Sequence, residues 1–224
     1  MYNDFITIVT SGNNVQRLFN GLLVTLEISI AASLLSIFFG TFFGFLLSSK
    51  NKIIKIISKL YLETFRLIPQ LVILFVVYYG VSSELKITLK PIPTAIFVFT
   101  LWGLAEMGDL VRAGIKTVPI GQVEAAQAIG LSNSQVSKMI KIPFMLRQIT
   151  PQAINLVTRI IKTSSIVPLI GIMDITKVGQ SIIDLYRMKL PDASFIVYGI
   201  IFVVYFLICF MISLLAKRLE KKLC

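Results

Sequence analysis

The longest uncharged runs of the sequence constrain the fold most. From Gly21 to Leu47 the only charged residue is Glu27. A helix that crosses the ~30 Å hydrocarbon layer needs roughly 20 mostly apolar residues. Five blocks of about this kind occur, at about 20–48, 60–80, 92–113, 151–172 and 194–216. Lipid offers no partners to free backbone groups, so each block is predicted to be helical. The fold class predicted is an all-α membrane protein with five transmembrane helices.

Composition agrees with a membrane protein and excludes most enzyme chemistry. Of the 224 residues, 56% are hydrophobic and 15% are charged, with a mean hydropathy of +0.85, whereas soluble domains average ~25% charged residues. Histidine is absent, Cys209 and Cys224 do not form a cluster, and no phosphate-binding GxxxxGK[ST] loop occurs. We therefore expect no enzyme, no bound metal and no cofactor. Residues 1–224 show no repeat and no linker, which predicts a single domain.

The basic residues predict the orientation in the membrane. Cytoplasmic loops carry an excess of Lys and Arg. One side of the predicted layout holds fourteen of the 22 basic residues: Lys50, Lys52, Lys55, Lys59, Arg66, Arg112, Lys116, Lys138, Lys141, Arg147, Lys217, Arg218, Lys221 and Lys222. The other side holds six: Arg17, Lys86, Lys90, Lys177, Arg187 and Lys189. This asymmetry predicts an outside N-terminus and a cytoplasmic C-terminus.

The fourth block is the only one with basic residues near its centre, Arg159 and Lys162. A central Arg or Lys costs about 2.5–3.5 kcal/mol on insertion, and the two together nearly cancel the gain from the apolar residues around them. Such a helix needs neighbouring helices or a wet cavity on its charged side. The fourth block is therefore the candidate to line a pathway.

The stretch EAAQAIGLSNSQVSKMIKIP, from Glu124 to Pro143, predicts two short helices in the longest cytoplasmic loop. Gly130 suits the left-handed position that ends a helix. Ser132 and Gln135 have the spacing of a capping box at the start of the second helix. In that helix Val136, Met139 and Ile140 are predicted to share a face, and Pro143 to mark the end.

Three roles fit such a helix pair: reading DNA, lying on the membrane surface, or docking a partner protein. Roughly 35 residues separate the flanking spans, too few for the folded domain that a DNA-binding helix-turn-helix requires. Ser, Asn and Gln in the middle make the segment a poor lipid anchor. The residues therefore favour docking of a partner protein.

The spacing of Glu124, Ala125, Ala126, Gly130, Ile140 and Pro143 resembles the cytoplasmic EAA loop of ABC importer permeases, with Ile142 where that family usually has Leu. VRAGIKTVPIGQVEAAQAIGLS, from Val111 to Ser132, is similar to the polar amino acid branch of the family, the histidine/glutamine type. GLLVTLEIS and YLETFRLIPQLVILF extend the resemblance into the first two spans.

The resemblance implies a type I ABC importer permease in the bacterial inner membrane, which moves polar amino acids by alternating access. Its expected partners are a second permease subunit (the same or homologous), a dimer of ATPases that binds ATP and Mg, and an extracytoplasmic substrate-binding protein. The six matched residues would form coupling helices, in a loop at about 114–148, that dock on the ATPase. The alternative is a passive channel or other membrane scaffold with the same helical layout.

The resemblance also places KTSSI, from Lys162 to Ile166, where the family usually has K-D-[ST]-S-L. We expect Lys162, Thr163, Ser164 and Ser165 in the translocation cavity, although Thr163 replaces the acidic residue. In the third span, Asp109 is predicted to pair with Arg112. Glu106 either favours a cationic substrate or neutralises Arg159 or Lys162. Arg66 is interpreted as an interfacial anchor and Pro69 as a kink.

Overall fold

The computed structural model describes residues 2–223, with side chains for residues 4–222, and is helical almost throughout. Within residues 2–223 nine helices follow one another: α1 Tyr2–Thr10, α2 Asn14–Leu47, α3 Lys52–Leu67, α4 Gln70–Leu85, α5 Pro91–Lys116, α6 Ile120–Ala128, α7 Asn133–Ile170, α8 Ile175–Tyr186 and α9 Ala193–Leu223. Within the described residues α2, α5, α7 and α9 are long and apolar enough to cross a membrane, and the α3–α4 pair adds a fifth if it is one span.

Helices α2 and α5 form the central contact of the bundle because small residues let their backbones approach. The buried face of α2 is a row of small side chains: Ser29, Ala32, Ser33, Ser36, Gly40 and Gly44. A Cβ added at Gly44 would lie 2.4 Å from the Val111 Cβ, and one at Gly103 would lie 2.2 Å from the Ser36 hydroxyl oxygen. Neither residue can therefore be larger than glycine without a shift. Small residues at this spacing are how membrane helices associate where lipid supplies no hydrophobic drive.

The second predicted span is broken. Helix α3 ends at Leu67, and α4 begins at Gln70 after a bend of 102°. Pro69 precedes the first residue of α4, where its fixed φ and missing N–H stop the helix before it, so the kink predicted at Pro69 is confirmed. Helix α4 widens into a π turn, Val76–Val81, in its second half. The block 60–80 is thus two elements, and α3 begins well before it.

The fourth span differs from the prediction at both ends. Pro143 does not end the second helix of the loop, because a π turn, Ser137–Lys141, precedes it and Ile142–Thr163 continues as α-helix. A wider turn relieves the clash between a proline ring and the carbonyl oxygen one turn back. After Thr163 the helix tightens into a 3₁₀ segment, Ser164–Ile170. The connection between α5 and α7 is therefore 117–132, and the second helix predicted in the loop is the start of α7.

A short amphipathic helix, α8, was not predicted between the fourth and fifth spans. Asp174 caps it, since its carboxylate accepts a hydrogen bond from the Lys177 backbone N–H at 2.9 Å. The Asp174 backbone lies so close to α2 that a Cβ at Gly21 would be 2.9 Å from it. The Thr25 hydroxyl oxygen accepts a hydrogen bond from the Ile175 N–H at 3.3 Å. These contacts hold the start of α8 against the first span.

Candidate functional site

Residues 120–141, here called the bent segment, contain α6, the turn at Gly130 and the start of α7. Gly130 has a φ of +90°, so the left-handed end of α6 is confirmed. The Leu131 N–H donates to the Ala126 carbonyl at 3.1 Å and the Gly130 N–H to Gln127 at 2.9 Å, which satisfies the last carbonyls of α6.

The capping box that starts α7 is also confirmed. The Ser132 N–H donates to the Gln135 side chain at 2.8 Å, and the Gln135 N–H donates to the Ser132 hydroxyl at 3.4 Å. Local hydrogen bonds on both sides of Gly130 therefore fix the angle between the two helices. No atom lies within 4 Å of a Cβ built on Gly130, so its backbone conformation alone requires glycine there.

The EAA residues divide between a packed side and a free side. Ala126 is buried, whereas Glu124, Ala125, Gly130 and Pro143 are exposed and Ile140 is half-buried. Glu124 has no ion pair among the described residues. The face predicted for Val136, Met139 and Ile140 is only partly right, since Val136 is buried but Met139 is 66% exposed. The free side also exposes three apolar residues, Ile120, Ile129 and Met139, and exposed apolar patches of this kind are typical of protein-binding surfaces.

One face of α7 carries polar residues through the membrane-spanning part. The exposed members of this polar face are Gln148, Gln152, Asn155, Arg159 and Lys162. They recur at intervals of three or four residues, so they form a stripe about 21 Å long. Lipid cannot solvate such a stripe, which therefore needs a second protein surface or water opposite it.

The predicted pathway residues at the end of the polar face point in different directions. Lys162 and Ser165 are exposed and Thr163 is half-buried, but Ser164 is fully buried. The Ser164 hydroxyl donates to the Ile161 carbonyl at 2.8 Å, and that of Ser165 donates to the Lys162 carbonyl at 2.9 Å. Ser164 therefore belongs to the interior of the protomer and not to the polar face, because the chain turns into the 3₁₀ segment at that residue.

Glu106 pairs with Arg159. Their side chains meet at 2.8 Å across α5 and α7, and the Arg159 guanidinium also lies 5.0 Å from the Trp102 ring centre. A cation over an indole face is attracted by the ring. Of the two roles left open for Glu106, this ion pair favours neutralisation of Arg159. Trp102 has no polar signature in the sequence that would have identified it.

Lys162 faces a cavity of about 480 Å³ between α7 and α9. The other lining residues are aromatic or small: Thr158, Phe202, Tyr205, Phe206, Cys209, Phe210 and Ser213. Lys162 is thus both the last exposed member of the polar face and a lining residue of this mostly apolar cavity. The α9 contribution was not foreseen, since aromatic residues in a span ordinarily indicate lipid contact.

The predicted pair of Asp109 and Arg112, near the C-terminal end of α5, is confirmed and has a third member. The Arg112 Nε donates to the Asp109 carboxylate at 2.9 Å, and Arg66 lies 3.5 Å from its other oxygen. Asp109 therefore ties α3 to α5, which the spacing along α5 alone could not reveal. No group of three or more His, Cys, Asp or Glu suited to a metal ion occurs in the described part of the chain.

Comparison with known proteins assigns this architecture to a family. Residues 18–223 match the family described as "Binding-protein-dependent transport system inner membrane component". A putative glutamine transport system permease protein of Rickettsia prowazekii is 30% identical over 204 residues, covering 91% of each chain. An L-cystine transport system permease protein of Bacillus subtilis is 32% identical over 168 residues, 70% of each chain.

Solved structures show the same fold. The structure titled "Crystal structure of an amino acid ABC transporter with histidines" has a TM-score of 0.85 at 26% identity, covering 93% of this chain and 94% of that one. An inward-facing MetNI methionine ABC transporter has a TM-score of 0.77 at 17% identity, covering 96% and 100%, which supports the fold alone. The chain belongs to the family of inner membrane components of binding-protein-dependent transport systems.

Proposed function

We propose that this chain is the permease subunit of an ATP-driven importer of polar amino acids in the bacterial inner membrane. It does no covalent chemistry and moves substrate by alternating access. Its partners are an ATPase dimer that binds ATP and Mg, a second permease subunit and an extracytoplasmic binding protein. The names of the relatives, glutamine and cystine permeases among them, support this substrate class.

The continuity of α7 is the observation that carries the proposal. The second half of the bent segment, 133–141, and the polar face belong to one helix, Asn133–Ile170, with no loop between them. A displacement of its cytoplasmic end is therefore transmitted to Arg159 and Lys162 by helix backbone rather than by a flexible linker. A passive channel has no need of such a lever or of an exposed docking surface at its end.

The bent segment suits docking on an ATPase. Ala125 presents a small side chain that allows close approach, and the exposed apolar residues beside it supply contact area. Glu124 is free to pair with a basic group of the partner, which would set the register of the contact. Fixed hydrogen bonds on both sides of Gly130 let the helix pair move as one body.

The polar face suits a path for zwitterionic substrates. Amide side chains such as Gln152 and Asn155 donate and accept hydrogen bonds without fixing a net charge. Lys162 supplies a cation for a substrate carboxylate, and Glu106, held by Arg159, adds little free negative charge. A polar face of this kind is covered when a second permease subunit is placed opposite it.

The experiment is ATP-driven uptake of radiolabelled glutamine and other polar amino acids in proteoliposomes that contain the whole transporter. We expect Gly130→Val with Glu124→Ala to abolish uptake while the chain still inserts and binds its permease partner. The matched control is Gly12→Val, since Gly12 also has a positive φ, +47°, and open space around its Cβ position.

The same preparations test the docking step directly. The ATPase should co-purify with the wild type and the Gly12→Val control but not with the double variant. Normal ATPase association and uptake in the double variant would overturn the coupling role of the bent segment. Conduction of solutes by the chain without ATP would support a channel instead.

A further inference from the structure

Helix α3 has three distinct sides, one of which is basic. Its packed side contains the buried Ser58 and Leu62, together with Tyr61, whose hydroxyl donates to the Leu101 carbonyl of α5 at 2.8 Å. The apolar side is exposed and consists of Ile53, Ile56, Ile57, Leu60 and Leu67. The basic side consists of Lys52, Lys55, Lys59 and Arg66. These three sets follow from the helical period of 3.6 residues.

The bend at Pro69 places these sides relative to the membrane. Helix α3 lies at 102° to α4, so α3 runs roughly in the membrane plane if α4 crosses it. An exposed row of isoleucines and leucines beside a row of lysines is the pattern of a helix at the boundary between headgroups and acyl chains. The apolar side of α3 then faces acyl chains, and its basic side lies at the level of the phosphates.

A cavity of about 320 Å³ opens on that basic side, where α3 meets the inner ends of α2 and α5. Its basic lining residues are Lys55, Lys59 and Arg66 of α3 and Arg112 of α5, with Glu63 the one acidic lining residue. The buried Leu47 and Leu62 also contribute to the wall. The cavity therefore joins a charged mouth to apolar walls, as an amphiphile requires.

The described residues do not balance the charges of this cleft, since four basic groups, Lys55, Lys59, Arg66 and Arg112, face only two carboxylates, Glu63 and Asp109. Asp109 accepts from Arg112 at 2.9 Å and lies 3.5 Å from Arg66, so one carboxylate serves two guanidinium groups. Neither Lys55 nor Lys59 forms an ion pair among the described residues. Two lysines one helical turn apart repel each other unless an anion lies between or beside them.

We propose that this cleft binds the phosphate headgroup of an anionic phospholipid, with Lys55 and Lys59 as its main contacts and Arg66 and Arg112 behind them. The acyl chains would follow the apolar side of α3. Basic pockets between membrane helices attract anionic headgroups in this way. A bound headgroup would bridge α3 to the end of α5, directly before the bent segment. This assignment does not rest on the transport function.

The test measures lipid binding by the full-length chain in a neutral detergent. Native mass spectrometry is used to titrate the protein with dioctanoyl phosphatidylglycerol, dioctanoyl phosphatidylcholine or inorganic phosphate. We expect phosphatidylglycerol to bind at least about tenfold more tightly than either of the others, because only it combines a net negative phosphate with acyl chains.

The variant Lys55→Gln with Lys59→Gln should weaken phosphatidylglycerol binding roughly 30-fold, the factor expected for the loss of two lysines beside an anionic lipid. The matched control is Lys217→Gln with Lys221→Gln, which removes two exposed lysines from the same predicted side of the membrane. Binding to the control should equal that of the wild type. Replacing Lys55 and Lys59 by arginine should preserve binding, which separates charge from folding.

Four results would overturn the assignment. Equal losses in the glutamine variant and the control would show a diffuse charge effect without a site. Equally tight binding of phosphatidylcholine would remove the role of the headgroup charge, and equally tight binding of inorganic phosphate would indicate an anion site that does not select lipid. Failure to bind phosphatidylglycerol, combined with loss of a protein partner in the glutamine variant, would assign the cleft to that partner instead.

Discussion

The ion pair between Glu106 and Arg159 allows a quantitative test of how the polar face is held. Exposed ion pairs couple by about 0.2–1 kcal/mol, whereas removing one partner of a buried pair costs about 3–5 kcal/mol. Here Glu106 is 21% exposed and Arg159 is 48% exposed at the side chain. Their coupling should therefore lie between the two classes, at about 1–2 kcal/mol.

The assay is a double-mutant cycle with Glu106→Gln, Arg159→Met and the pair of changes together. The free energy of unfolding of each protein is measured in mixed detergent micelles. Arg159→Met should destabilise more than Glu106→Gln by about 0.5–1 kcal/mol, because it also removes the cation that lies 5.0 Å from the Trp102 ring. The exchanged pair, Glu106→Arg with Arg159→Glu, should recover part of the coupling.

Additivity within about 0.3–0.5 kcal/mol would refute the reasoning, since it would mean that the two side chains do not depend on each other. The same variants separate the two roles of Glu106 in transport. If Glu106 only neutralises Arg159, then Glu106→Gln reduces uptake of neutral and cationic amino acids alike. A selective loss of cationic substrates would assign the carboxylate to the substrate instead.

Two further changes probe packing and protonation. Gly44→Leu should lower the free energy of unfolding by at least about 1–3 kcal/mol, because its Cβ would lie 2.4 Å from the Val111 Cβ. The control Gly199→Leu should change the free energy of unfolding little, because no atom lies within 4 Å of a Cβ at that position. Equal thermal stability of the two variants would contradict the close α2–α5 contact. Burial raises the pKa of the Asp174 carboxyl, which lies between spans, above its ordinary value. The folded state therefore holds that proton more tightly than the unfolded state, so stability should fall as the pH rises from the ordinary carboxyl range through the raised pKa. Melting temperatures of the wild type should show this slope, and those of Asp174→Asn should lack it; an identical slope in both would exclude Asp174 as its origin.

Features that rest on local chemistry could be predicted from the sequence. The end of α6 follows from the left-handed conformation that Gly130 adopts at φ +90°, and the start of α7 from the capping box of Ser132 and Gln135. The apolar blocks predicted the four long helices, because a segment that crosses lipid must be apolar and must satisfy its own backbone hydrogen bonds. In each case the cause lies within a few residues of the effect.

Features that depend on a partner elsewhere in the chain could not be predicted in the same way. Ser164 follows Lys162 and Thr163 in sequence, yet it is buried because the helix tightens into a 3₁₀ turn there. The choice of Arg159 over Lys162 as the partner of Glu106 depends on how α5 and α7 cross. The usual effect of proline predicted that the helix ends at Pro143, but the π turn before Pro143 makes room for its ring and the helix continues.

The transmission of movement along α7 depends on how its weak points are supported. Between its start and Arg159 the helix has two such points, the π turn Ser137–Lys141 and Pro151, which lacks a backbone N–H. Both are places where helices bend.

Between them Met145 and Ile149 are buried against Gly114 of α5, where an added Cβ would lie 2.7 Å from the Ile149 Cγ2. The C-terminal end of α5 therefore supports α7 between these two points. Because α6 follows α5 after only three residues, the bent segment is anchored to this brace at one end and to α7 at the other. We therefore expect a push on the bent segment to displace α5 and α7 together, with the Glu106–Arg159 pair that joins them.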